Sequence, residues 1–232
     1  MPWFQCSSGT CTRVYWLRAI TSRLAQSPYH SNESMVESHP EAVQLEKAKL
    51  RRSLLQTRQA MSREAWQSKS TQLCQQLAAL SVFKQARTVL AYFSVRQEPD
   101  LSLLFQIEKT WGFPRCVHQS LVWHQWCPHS PYPLQKGTFG IWEPHPDAPT
   151  LNASEIDLML VPAVACDRQG YRLGYGGGFY DRLLSSPAWS AIPTIGIVFE
   201  VALFPHLPHA EWDRSLTAVC TELNVWNCPP AQ

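Results

Sequence analysis

Apolar segments of strand length alternate along this chain with segments of helical periodicity. Short apolar runs bounded by turn residues are typical of buried strands, and they predict strands over residues 88–94, 112–117, 121–126, 156–164, 193–199 and 216–221. Helices are predicted over 41–59, after a capping Ser62, over 99–109 and from Phe179 onward. Strands that alternate with helices indicate a mostly parallel sheet with helices on both faces. The predicted fold class is therefore α/β, a Rossmann-like three-layer sandwich.

The composition and net charge of the chain give no indication of nucleic acid or a membrane as a binding partner. The chain has 232 residues, of which 45% are hydrophobic and 16% charged, and its net charge is +2. This balance fits one globular domain, and no charge excess favours nucleic acid or an anionic membrane. No apolar run approaches the roughly 18 residues that span a bilayer. We expect a cytoplasmic protein, monomeric, with a small-molecule ligand.

The first 40 residues differ in composition from the rest. They contain Arg13, Arg18 and Arg23 and no acidic residue before Glu33. This pattern is typical of an organelle transit peptide. It also fits an unfolded extension, or sequence upstream of a true start at Met35, and we favour these two interpretations. We expect the folded domain over residues 41–232, and an organellar location if the transit peptide is real.

Glycines concentrate between a predicted strand and a predicted helix. The chain has ten, and five lie within nine residues, at positions 170, 174, 176, 177 and 178. Glycine allows positive φ and close approach of the backbone to a ligand. The start of a helix presents free N–H groups to an anion. Residues 174–178, the glycine loop, are therefore predicted to bind phosphate, although they match neither the dinucleotide fingerprint nor a Walker A loop.

Charged residues around this loop suit the same chemistry. Arg172 precedes the loop, where a guanidinium can bind a phosphate with two donors. Asp181 lies in the first turn of the following helix, where a carboxylate can hold Mg²⁺ beside phosphates or simply compensate the helix dipole. In the first helix, Lys47 and Arg51 are spaced i, i+4 and project together. The neighbouring Lys49, Arg52 and Arg58 are expected to form a solvated face.

The segment RLGYGGGFYDRLL after DLMLVPAVACDRQGY resembles the signature of the 5-formyltetrahydrofolate cyclo-ligase family, also called methenyltetrahydrofolate synthetases. The similarity extends from about Glu46 to Glu222 and includes FGIWEP at 139–144. It implies a NagB/RpiA/CoA-transferase-like fold. It also implies a ligase of one-carbon metabolism that converts 5-formyltetrahydrofolate, with or without a polyglutamate tail, to 5,10-methenyltetrahydrofolate. In that reaction ATP phosphorylates the formyl oxygen, N10 closes the ring, and ADP and phosphate are released.

The resemblance also implies roles for individual residues. Lys47, Arg51 and Arg172 would bind the ATP phosphates and act in catalysis, and Asp181 and Asp213 would hold Mg²⁺. The remaining ATP contacts would be Leu173, Gly174, Tyr175, Gly176, Gly177, Gly178, Phe179 and Tyr180. Thr217 stands where many relatives have another aspartate, so the metal site is weakened if that position is a true ligand.

On the folate side, the resemblance implies contacts from Phe93, Glu98, Trp142, Tyr175 and Phe179. Each of the first three has a structural alternative. Glu98 also fits an acid at a helix start, and Phe93 and Trp142 also fit the core.

Two other functions fit the residues. A nucleotide- or folate-binding homologue without turnover would share the fold, because fold alone does not fix activity. A sugar-phosphate isomerase or acyl-transfer enzyme would need a carboxylate base, for which Glu98 is the candidate. Dependence on ATP separates the ligase from the isomerase.

Overall fold

The structure is a computed structural model that describes residues 40–229. The predicted extension lies outside these residues, apart from Pro40, so its nature stays a prediction. Among the described helices, none is both long and apolar enough to span a membrane.

Within residues 40–229, five α-helices accompany the sheet. The first two begin where the sequence predicts, and the Ser62 side chain accepts a hydrogen bond from the Ala65 N–H at 3.2 Å, as expected of a helix cap. The helices are α1 (Pro40–Gln59), α2 (Arg63–Ala79), α3 (Ser81–Gln85), α4 (Phe179–Ser185) and α5 (Pro187–Ser190).

An eight-stranded mixed sheet forms the middle layer, with strand order β13-β12-β10-β7-β1-β2-β3-β6. Its five central strands, β12 to β2, run parallel, and the flanking strands pair antiparallel. The strands of this sheet are β1 (Thr88–Leu90), β2 (Thr110–Val117), β3 (Ser120–Gln125), β6 (Thr150–Leu151), β7 (Leu158–Pro162), β10 (Thr194–Ile197), β12 (Ala218–Cys220) and β13 (Val225–Asn227).

The two faces of the sheet bury separate apolar clusters. Along β7, Leu158 and Leu160 pack into one cluster with α2, whereas Met159 and Val161 pack into the other with residues of α1 and α4. Successive side chains of a strand point to opposite faces, so a strand buried on both sides is apolar throughout. The three-layer α/β fold predicted from the sequence is confirmed.

Two small sheets lie outside this core. One has the order β11-β8-β9 and consists of β8 (Ala165–Asp167), β9 (Arg172–Leu173) and β11 (Leu203–Phe204). The other pairs β4 (Gln135–Lys136) with β5 (Trp142–Glu143). The hairpin β8–β9 delivers the chain to the glycine loop, which opens directly into α4. The strand predicted before the loop, 156–164, is β7, and the hairpin β8–β9 that follows it was not predicted. The predicted order of strand, loop and helix holds, but the strand that enters the loop is β9.

The helix predicted over 99–109 is wrong. The structure has a short 3-10 helix, Ser102–Gln106, in its place. The Asp100 carboxylate accepts hydrogen bonds from the Ser102 N–H at 2.9 Å and from its hydroxyl at 3.0 Å, which turns the chain locally. The chain must then enter β2 at Thr110, so too few residues remain for a longer helix. The last strand, β13, had no counterpart among the predicted elements.

Candidate active site

The glycine loop needs glycine at defined positions. Gly176 has φ 99° and Gly178, the residue before α4, has φ 65°. Both values lie in the region that residues with a Cβ avoid. An added Cβ on Gly178 would also lie 2.7 Å from the Arg182 side chain. The loop therefore keeps a shape that exposes its backbone and depends on these two residues.

A methyl group at Gly176 should destabilise the protein. We expect Gly176→Ala to lower the free energy of unfolding by about 1–3 kcal/mol, because alanine at φ 99° is strained. If the loop binds the phosphates of ATP, as the sequence predicts, its displacement should also raise the KM for ATP. Chemical denaturation and steady-state kinetics measure the two effects.

Gly174→Ala is the matched control for stability, because its added Cβ meets no heavy atom within 4 Å. It should change the free energy of unfolding by less than about 0.5 kcal/mol. Equal losses in the two variants would contradict the role given to the Gly176 backbone.

Helix α1 places Arg51 against the glycine loop and Lys47 against Asp213. The Arg51 Nε donates a hydrogen bond to the Gly174 carbonyl at 2.7 Å. Lys47 is buried and forms an ion pair with Asp213. The spacing i, i+4 places both side chains on one face of the helix. Residues far apart in sequence thus converge, with Lys47 and Asp213 separated by 166 positions.

Arg172 connects the loop to the segment that carries Asp213. Its Nη2 lies 2.6 Å from the Asp181 carboxylate, and its Nη1 donates to the Arg214 carbonyl at 2.8 Å. The guanidinium is buried, whereas the Asp181 side chain is 30% exposed. The predicted phosphate-binding and metal-binding residues therefore lie together, each acid beside a base.

The carboxylates of Asp181 and Asp213 are chemically suited to bind a magnesium ion. Asp181 and Asp213 offer carboxylate oxygens, and Mg²⁺ takes one or two carboxylates together with substrate oxygens. Each carboxylate uses one oxygen for its base, and within residues 40–229 the second oxygen of each accepts no hydrogen bond. Metal binding by these residues stays a prediction.

Thr217 has a structural role. Its hydroxyl donates to the Thr194 carbonyl at 2.6 Å and accepts from the Thr194 N–H at 2.8 Å, next to the paired strands β10 and β12. The side chain is therefore occupied by backbone groups at this position. The acids that pair with bases at the site are Asp181 and Asp213. Position 217, where many relatives have an aspartate, supplies no carboxylate.

Some predicted ligand contacts occupy other surroundings. The Leu173 side chain is buried in the core, so any contact of this residue with ATP would come from its backbone beside the loop, and that contact stays a prediction. Phe93 stacks on Phe113 at 4.3 Å within an aromatic cluster of the core. This packing favours the structural alternative for Phe93, and its contact with folate stays a prediction.

The FGIWEP segment contacts the start of α4 through Phe139. Phe139 is exposed, and its ring meets the Phe179 ring edge-on at 5.9 Å between centroids. Trp142 is 47% exposed, so the alternative that it belongs to the core is wrong. The Lys136 ammonium lies 4.0 Å above the Trp142 ring. Exposed aromatic rings such as these can stack on a flat heterocycle.

Glu98 is a buried carboxylate adjoining the loop. It is only 2% exposed, and it accepts hydrogen bonds from the Tyr175 hydroxyl at 2.7 Å and the Val95 N–H at 3.1 Å. Burial raises the pKa of the Glu98 carboxyl, and the bond from Tyr175 and the charge of Arg58 oppose that rise. Because no regular helix follows Glu98, the helix-start alternative for this residue is wrong.

Arg58 was expected on a solvated face, and that expectation is wrong. The residue is buried, and its guanidinium donates to the Tyr175 hydroxyl and to two backbone carbonyls. Its position carried a signal, because it lies seven residues after Arg51 and therefore two turns along the same helix face. Lys49 and Arg52 are exposed, as expected.

These contacts define an α/β protein with a glycine loop at the start of a helix, paired acids and bases around it, and a buried carboxylate alongside. Residues 43–222 match the 5-formyltetrahydrofolate cyclo-ligase family. The chain belongs to that family, as the sequence resemblance indicated.

Individual relatives agree. The chain is similar to a 5-formyltetrahydrofolate cyclo-ligase of Mycolicibacterium smegmatis, with 33% identity over 183 residues that cover 75% of this chain and 93% of that protein. The Escherichia coli K12 enzyme of the same name is 31% identical over 181 residues, 74% of this chain and 97% of the relative. The NMR structure of Aquifex aeolicus 5,10-methenyltetrahydrofolate synthetase superposes with a TM-score of 0.70 at 32% identity, covering 80% and 94% of the two chains.

Proposed function

We propose that this protein is an ATP-dependent ligase that converts 5-formyltetrahydrofolate to 5,10-methenyltetrahydrofolate with release of ADP and phosphate. One observation carries the proposal. The Tyr175 hydroxyl of the glycine loop donates to Glu98 at 2.7 Å, so the predicted phosphate site and the predicted folate site adjoin. A reaction in which a phosphoryl group passes from ATP to folate requires that proximity.

The chemistry needs activation of a poor leaving group. A formamide oxygen does not leave readily, so ring closure by the neighbouring N10 is slow. Attack of the formyl oxygen on the γ-phosphorus of ATP expels ADP and converts this oxygen into a phosphate ester. N10 then attacks the activated carbon, loses its proton, and phosphate departs as the new carbon–nitrogen bond is completed.

Phosphoryl transfer is promoted by positioning and charge neutralisation more than by covalent help from the protein. Lys47, Arg51 and Arg172 supply the positive charges, and the glycine loop supplies backbone donors at the start of α4. Position 177 carries no side chain, so Arg172 bears more of the interaction with phosphate. Asp181 and Asp213 would hold Mg²⁺, which when bound neutralises phosphate charge.

Glu98 supplies recognition of the second substrate. A carboxylate that is 2% exposed accepts hydrogen bonds from the polar N–H edge of a pterin without competition from bulk water. The exposed Trp142 and Phe139 lie outside the core and offer aromatic faces. These surroundings support a flat heterocycle as the acceptor substrate.

Purified protein with 5-formyltetrahydrofolate and Mg-ATP tests the proposal. We expect methenyltetrahydrofolate absorbance to appear, with one ADP released for each product molecule. Omission of ATP, or addition of a chelator in excess of Mg²⁺, should abolish the signal.

Other outcomes identify the alternatives. Folate and ATP binding without absorbance change would indicate a non-catalytic homologue. Turnover of folate or another substrate that is independent of ATP would rule out the ligase.

A further inference from the structure

The chain is strained directly before Glu98. Arg96 and Gln97 have φ 48° and 57°, two consecutive residues in the left-handed region that side chains normally avoid. We call residues 95–98 the Glu98 turn. Strained backbone persists only where surrounding contacts hold it, and it concentrates at functional sites. The contacts that maintain this turn therefore determine where the Glu98 carboxylate lies.

Helices α1 and α2 hold the turn from outside. Trp66 donates its indole N–H to the Glu98 carbonyl at 2.8 Å. The Gln97 amide donates to the Met61 carbonyl at 3.2 Å. From α1, the Arg58 Nε donates to the Arg96 carbonyl at 3.0 Å. Arg58 thus contacts the strained part of the turn itself.

Arg58 also reaches the side chain of Glu98 through one intermediary. Its Nη2 donates to the Tyr175 hydroxyl, which in turn donates to the Glu98 carboxylate at 2.7 Å. Its Nη1 lies 3.3 Å from the Ala163 carbonyl, which follows the end of β7. One guanidinium therefore links α1, the sheet, the Glu98 turn and the glycine loop.

We propose that Arg58 is a positioning residue for folate recognition: through the Arg96 carbonyl and the Tyr175 hydroxyl it holds the Glu98 carboxylate in its binding geometry. The inference rests on the proposed function, because it takes Glu98 as the acceptor for the pterin. In this role Arg58 acts through the Glu98 turn and Tyr175, because its three hydrogen bonds within the described residues all go to protein groups. Arg51 holds the glycine loop independently at Gly174, so loss of Arg58 should affect folate more than ATP.

Because Arg58 is charged, its proposed role predicts a change in the pH dependence of folate binding when it is replaced. Glu98 binds donors as a carboxylate, so folate affinity should fall as pH decreases through its pKa. Removing a nearby positive charge raises the pKa of a carboxyl, and the acid limb of binding should then move to higher pH. The groups that face Glu98 are Arg58 from α1, Tyr92 after β1, Arg96 of its own turn, Tyr175 of the glycine loop and Tyr180 of α4.

Two substitutions and a matched control test the inference by equilibrium binding of 5-formyltetrahydrofolate. Arg58→Met should weaken folate binding by roughly tenfold or more and shift its acid limb to higher pH. Arg58→Lys keeps the positive charge but cannot make all three hydrogen bonds of the guanidinium. Folate affinity should therefore fall, while the acid limb of binding stays at the same pH. Arg52→Met, on the exposed face of the same helix, should match the wild type.

A double-mutant cycle tests the route through Tyr175. If Arg58 acts through that hydroxyl, the effects of Arg58→Met and Tyr175→Phe on folate affinity should be less than additive. Additive effects would overturn the relay. Thermal denaturation shows whether each variant folds. Should Arg58→Met fail to fold, Arg58→Lys and Tyr175→Phe carry the same comparison.

The outcomes separate this inference from the proposed function. If the wild type turns over folate, and Arg58→Met binds folate with unchanged affinity and unchanged pH dependence, only the role of Arg58 is overturned. Folate binding that depends on Arg58 in a wild-type protein without turnover overturns the ligase activity and leaves the positioning role. A wild-type protein that binds no folate overturns both.

Discussion

Arg172→Ala should reduce kcat/KM for ATP by roughly two to three orders of magnitude, the loss expected when a fixed donor to developing charge is removed. The guanidinium lies between the Asp181 carboxylate and the Arg214 carbonyl, at 2.6 and 2.8 Å. With glycine at position 177, no side chain there can replace it. Loss of the ion pair should also cost about 1–2 kcal/mol of stability, limited because the Asp181 side chain is 30% exposed.

Arg168→Ala is the control for this change. Arg168 belongs to the same β8–β9 hairpin but is exposed, and its guanidinium lies over Trp226 at 4.2 Å. It should leave steady-state kinetics unchanged. Stopped-flow or continuous absorbance assays across ATP concentrations measure both variants. An Arg172→Ala enzyme with unaltered kcat and KM would show that the loop binds phosphate through its backbone alone.

Arg51→Met should cause a loss of comparable size, roughly a hundredfold or more in kcat/KM for ATP. Its Nε holds the Gly174 carbonyl at 2.7 Å, and its Cζ would lie 3.8 Å from a Cβ on Gly176. The guanidinium therefore both shapes the glycine loop and presents positive charge beside it. Methionine retains much of the side-chain length and removes the charge and the donor.

The adjacent Arg52→Met provides the matched comparison, because it makes the same chemical change on the exposed side of α1. Its kinetics should equal those of the wild type. If both substitutions reduce activity equally, the effect belongs to the overall charge of the helix. If neither does, α1 has no part in binding ATP, and the proposed phosphate site needs another source of positive charge.

Sequence reasoning located most of the candidate site through local signals. The glycine loop was visible as a cluster of one residue type, and the positive φ at Gly176 and Gly178 gives the physical reason for it. The i, i+4 spacing of Lys47 and Arg51 was readable in the same way, because helix geometry fixes which residues share a face.

Contacts between distant elements were not readable. Arg58 shares a helix face with Arg51, but that spacing does not show whether the face is buried, and only packing against the Glu98 turn and the glycine loop buries Arg58. Burial of the Leu173 side chain likewise depends on the pairing of β8 with β9, which directs that side chain into the core. Residues 99–109 formed less helix than expected because the Asp100 side chain turns the chain and β2 begins at Thr110.

By itself, the sequence determined the α/β class, the strand, loop and helix order around the glycines, the face shared by Lys47 and Arg51, and the family. Only the tertiary structure decided that Lys47 meets Asp213, that Arg172 meets Asp181, and that Arg58 reaches Glu98 through Tyr175. The reason is physical. Periodicity and backbone preference act over a few residues, whereas pairing of charges and burial depend on segments that only the folded sheet brings together.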